Sequence, residues 1–172
     1  TISISQQGRS TTAGEYHYNL PVIFHVLYKD KNNPLQYVKQ DRLAKILDTV
    51  NKLYKDKTKS VDMNLTFTLA TTDEDGKPLS TPGVEYVSWE ESYPIDCDAF
   101  MNDETEKYVK YIWEPRYYIN VMVYNFKDDE STGSTTLGIA HIPFSTVGSN
   151  YLEGLSKTQK SYLEKQNLKF PY

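Results

Sequence analysis

The pattern of apolar and polar positions changes several times along the chain, and each change predicts an element. Leu20 to Tyr28 (Leu-Pro-Val-Ile-Phe-His-Val-Leu-Tyr) is apolar at odd and even positions alike. A strand buried on both faces reads this way, so a central strand is expected there. Lys29 to Pro34 is a turn cluster. From Lys39 to Lys55, Leu43, Ile46, Leu47, Val50, Leu53 and Tyr54 recur at intervals of three and four. This predicts an amphipathic helix whose polar face carries Arg42, Lys45, Asp48, Asn51 and Lys52. Met63 to Ala70 alternates, with Met63, Leu65, Phe67 and Leu69 on one face, as in a half-buried strand. Asp73 to Pro78 is a turn, and Gly83 to Trp89 reads as a short strand making a hairpin with what precedes it.

Asp96 to Glu114 is mixed, with a helix expected around Glu104 to Ile112 and ended by Pro115. Tyr117 to Phe126 is a second strongly apolar strand. Lys127 to Thr135 is a charged loop. Thr136 to Phe144 is a strand interrupted by Gly138 and Pro143, and a proline inside a strand marks an edge. Leu155 to Gln166 reads as a helix with a thin apolar face. Residues 1–15 are polar and aperiodic, a flexible lead-in or tether, so residues 16–172 are expected to form one domain. The order of elements predicts an α/β fold with a mixed sheet.

Composition narrows the function. The net charge of -4 and pI of 5.4 argue against nucleic acid, which selects clustered Lys and Arg. No apolar run approaches the roughly 20 residues that span a bilayer. Thr1 is not an initiator residue, so an upstream segment is expected. Cys97 stands alone; it is either a small buried hydrophobe or half of a bond to something outside the chain. The 15 tyrosines suit a binding surface and also fill strands.

The motifs of nucleotide binding and of serine hydrolases are absent. Zinc catalysis needs about three protein ligands on one ion. The histidines are His17, His25 and His141. On an extended chain, His17 and His25 stand roughly 26 Å apart and cannot share a metal. His25, in mid-strand, reads as a satisfied core residue. His141 reads as structural or as lining a cleft. Asp73-Glu74-Asp75-Gly76 resembles the opening of a calcium loop without its later ligands, and an Asp-Gly turn is the expectation. Asp128-Asp129-Glu130 reads as a solvated loop. Asn64-Leu65-Thr66 fits a glycosylation pattern inside a predicted strand.

In their order, these segments resemble the N-terminal part of pappalysin- or cytophagalysin-like metzincins, above all the zinc-dependent metalloproteinase lipoproteins of Bacteroides-type bacteria. Leu20 to Tyr28 is similar to the first strand, Leu43 to Tyr54 to the backing helix, and Leu65 to Ala70 with Asp73 to Gly76 to the second strand and its turn. Tyr118 to Val123 is similar to the third strand, and Leu137 to Pro143 to the edge strand. The resemblance implies a mixed, mainly parallel twisted sheet with a backing helix and an antiparallel edge strand. It further implies a secreted or surface-anchored zinc endopeptidase whose edge strand pairs with a peptide substrate, with Gly138, Ile139, Ala140 and His141 facing that substrate. In that family, zinc ligands and a general-base Glu lie on a later helix. No His-Glu-x-x-His occurs in this chain, so no catalytic or metal residue is carried over. This chain alone is therefore expected to be inactive and to bind no zinc, and to need a downstream segment carrying the zinc helix. The family sheet also has a fifth strand, for which the sequence shows no candidate. Contact with a membrane would come only through an N-terminal lipid anchor. Two rival readings remain: a non-catalytic extracellular module for peptide or glycan, and an interaction domain whose partner completes the sheet.

Overall fold

The computed structural model describes residues 17–56, 58, 62, 64–101, 108–114, 117–128, 137, 138 and 140. The first strand, β1 (Tyr18–Tyr28), is the axis of the sheet. Its residues from Val22 to Leu27 are buried, as the two-sided apolar run predicts. Three strands pair with it, all in parallel: β2 (Leu65–Leu69), β3 (Val84–Ser88) and β4 (Ile119–Val123). The helix α1 (Gln40–Lys55) lies between β1 and β2 in sequence and packs beside β2.

The expected hairpin between β2 and β3 is not formed. Both strands lie on the same side of β1 and follow one another along it, β2 opposite residues 18–22 and β3 opposite residues 24–28. They are two halves of one strand line interrupted by residues 71–82. The chain leaves the sheet at Ala70, whose N–H donates to Val22 C=O at 2.9 Å. It returns at Gly83, whose N–H donates to Ala70 C=O and whose C=O accepts from Phe24 N–H. Closure this tight requires glycine. Gly83 has φ +72°, and a Cβ there would stand 2.5 Å from Leu69 Cδ2. The tip of the excursion is the Asp-Gly turn read from sequence. Asp73 Oδ1 accepts from the N–H groups of Asp75 and Lys77, so this carboxylate is engaged by its own turn.

Two layers cover the sheet. On one face, even-numbered Val22, Phe24 and Val26 meet Leu43 and Leu47 of α1, with Val38, Val84 and half-buried Phe67, Leu69, Val121 and Val123. Only part of the predicted helical stripe is used: Ile46, Leu53 and Tyr54 are exposed. The helix flanks the edge strand β2, so a narrow strip of its surface meets the sheet. Asn51, expected on the solvent side, instead bonds both backbone groups of Phe67 at 2.8 Å and so covers the open edge of β2. On the other face, Leu27 joins Trp89, Ile95, Cys97, Phe100 and Tyr108. Here a helix stands ahead of the span where one was expected. It is a short α2 (Cys97–Met101), opened by Asp96 Oδ1 accepting from Ala99 N–H, with a 3-10 turn at Val109–Tyr111. Residues 102–107 lie outside the described set. Burial of Phe100, which meets the rings of Trp89 and Tyr124 at 5.5 and 5.1 Å, anchors α2 where it is. Cys97 is a free, buried thiol in this cluster, which matches the hydrophobe reading. The Tyr124 hydroxyl donates to its Sγ at 3.4 Å. Burial, and then this bond, push the Tyr124 hydroxyl above the ordinary tyrosine range.

Candidate functional site

The sheet positions its polar groups through the geometry of β1. The bonds from β1 to β2 and β3 come from even-numbered residues: Tyr18, Val22, Phe24 and Tyr28. The backbone groups of odd-numbered residues therefore point toward β4. Pro21, which has no N–H, sits one residue before the pairing with β4 begins at Val22 and Ile119. A strand interior that would reject proline tolerates it here because β4 does not yet lie opposite.

Below that point the sheet opens into a cleft of 640 Å³. Asn19 and Pro21 of β1, Thr68 of β2, Thr72 of the excursion, and Tyr117 and Tyr118 ahead of β4 are among the residues lining it. Tyr118 spans the cleft's inner end. Its hydroxyl donates to the carbonyls of Thr72 and Asp73 at 3.2 and 3.0 Å, and its ring meets Trp113 edge-on at 5.2 Å. Glu74 reinforces the same contact, accepting from Glu114 N–H at 2.7 Å.

Behind Tyr118 lies a polar cluster that sequence reasoning did not assemble. His25 is fully buried. Its Nδ1 stands 2.6 Å from Glu85 Oε2 on β3, and its Nε2 2.9 Å from Asn120 Oδ1 on β4. Asn120 in turn bonds the backbone of Trp113 and Tyr118. His25 is thus the satisfied core histidine expected, with both nitrogens engaged and neither open to a metal or a substrate. A signal for its partners was present: Asn120 interrupts an apolar run, and Glu85 sits in a short strand.

Of the residues expected to face substrate, Gly138 and Ala140 are exposed, and a Cβ on Gly138 would meet nothing within 4 Å. Ile139 and His141 lie outside the described residues, as do most of the expected edge strand, the fifth strand's place and the helix around Leu155 to Gln166. His17 is exposed and bonds Thr66 Oγ1 at 2.6 Å. Among the described residues, no group of three or more His, Cys, Asp or Glu side chains could hold a metal ion. No described helix is long and apolar enough to cross a membrane.

These features define a class: an α/β domain with a mainly parallel open sheet backed by one helix. Among solved structures, the chain is similar to mature mirolysin of Tannerella forsythia, determined in complex with a cleaved peptide. The match has a TM-score of 0.50 at 21% identity and covers 66% of this chain. This chain spans 44% of the length of that one. The likeness establishes the fold. No protein-family model matches the sequence, and neither does any curated protein.

Proposed function

We propose that this chain is the N-terminal, cleft-forming part of an extracytoplasmic zinc endopeptidase. The observation that carries this reading is the fold it shares with mirolysin, a protein solved with a cleaved peptide bound. The ordered resemblance of β1, α1, β2 and β4 to metzincin segments supports it. In this reading the segment from Gly138 to His141 pairs with an extended substrate. Backbone groups give the peptide its hold, and alternate side chains select it. Among the described residues no cluster of side chains could hold a metal ion; in this reading a downstream segment carries the zinc helix. The role of this chain is to bind and orient the peptide and to shield it from water.

The test uses the protein as its natural source produces it. It is incubated with an unfolded protein substrate, with and without a zinc chelator, and new N-termini are counted. Chelator-sensitive cleavage at internal bonds is expected. A product that leaves every bond intact, with zinc supplied, contradicts the reading. The cleft walled by Tyr117 and Tyr118 and lined by Thr68 and Thr72 favours one second reading, a non-catalytic module for peptide or glycan. Aromatic walls with hydroxyl groups suit such ligands.

A further inference from the structure

The protons of the His25 cluster can be counted from its geometry. The Asn120 amide has one orientation. Its Oδ1 accepts from Trp113 N–H at 2.8 Å, while its Nδ2 donates to the carbonyls of Trp113 and Tyr118 at 2.9 and 3.3 Å. Reversed, it would set donor against donor and oxygen against two carbonyls. Oδ1 therefore faces Nε2 of His25, and Nε2 carries a proton. At the other ring nitrogen, 2.6 Å separates Nδ1 from Glu85 Oε2, a contact that requires a second proton between them. The Glu85 side chain is 39% exposed, so water solvates its carboxylate, whereas the ring is wholly enclosed.

We propose that His25 is a buried imidazolium held by the Glu85 carboxylate, and that it is a positioning residue for the wall of the cleft. The chain of bonds runs from Glu85 through His25 and Asn120 to the backbone of Trp113 and Tyr118. Through these it fixes the segment that carries Tyr117 and Tyr118 into the cleft. The groups that face the ring are Glu85 from β3, Asn120 from β4 and Trp113 from the segment before β4. The Trp113 ring packs on it edge to face, 6.0 Å away at 72°. Charge-assisted bonds are about twice as strong as neutral ones, so the charge tightens the hold on Asn120. This inference is independent of the peptidase reading, because it concerns what holds the cleft rather than what fills it.

The test is NMR on the chain with 15N-labelled imidazole rings, the His25 signals being assigned through contacts with Trp113. Both ring nitrogens of His25 are expected to carry protons. A bare nitrogen on His25 overturns the proposal. Glu85→Gln, a change at a partly exposed edge, is then expected to strip the proton from Nδ1 and leave the one on Nε2. In the same variant, hydrogen exchange at Trp113 N–H should rise about tenfold relative to that at Ala70 N–H, which bonds Val22 away from the cluster. Retention of both ring protons in Glu85→Gln contradicts the charge pair, and equal changes at Trp113 and Ala70 contradict the positioning role.

Discussion

The two faces of β1 are buried to a similar depth but covered by different chemistry. On the even-numbered face, aliphatic side chains meet one regular helix, and the contact repeats with the helical period. On the odd-numbered face, an aromatic cluster from residues 89–126 surrounds Leu27 and a polar cluster surrounds His25, with no period at all. The first face gives the sheet a back. The second reaches the cleft through Tyr118, whose ring Trp113 meets edge-on. A regular layer tolerates changes of shape at its margin, whereas a layer of interlocked rings and oriented bonds does not.

The sharpest way to break this comparison is to truncate one anchor on each face. Phe100→Ala is expected to cost about 3–5 kcal/mol, since Phe100 is 1% exposed and contacts several rings. Leu47→Ala, at the helix margin, should cost about 2–3 kcal/mol. Urea unfolding measures both, and a larger loss from Leu47→Ala would reverse the ranking of the faces. Next comes the point where β2 hands over to β3. Gly83→Ala combines a left-handed backbone with a clash against Leu69, and a loss of about 1–3 kcal/mol is expected by the same method. Asn51→Ala leaves both edge groups of Phe67 without their side-chain partner and should cost about 1–2 kcal/mol.

The smallest effect is alkaline. Burial raises the hydroxyls of Tyr93 and Tyr124 in the aromatic face. Burial and the neighbouring Tyr37 raise Tyr86 on the helix side. A folded-state pKa above the unfolded one means that the folded protein holds the proton more tightly. The stabilisation is complete below 10.0, the ordinary tyrosine value, and is lost as pH climbs past it. Trp89 emission against pH should report the aromatic face loosening before far-UV dichroism reports α1.

The contrast between the faces also explains what could be read from the chain beforehand. β1, α1, β2 and β4 each carry a local period or an unbroken apolar run, and each stands close to where it was expected. The Asp-Gly turn closes a short antiparallel bridge between Thr72 and Pro78, but it does not pair β2 with β3. Residues 71–82 form an excursion from a parallel strand line, a relation set by pairing with β1 rather than by local sequence. Asn51 looked solvent-facing because its partner, Phe67, is on another element. The His25 cluster was beyond local reading for the same reason: Glu85 and Asn120 are 60 and 95 residues away.

The proposed endopeptidase role is tested most directly by the intact mass of the natural product, with zinc content measured on the same sample. The account predicts a mass well above 19.9 kDa and one zinc per chain. A product of 172 residues without zinc would contradict it and leave the binding-module reading in its place.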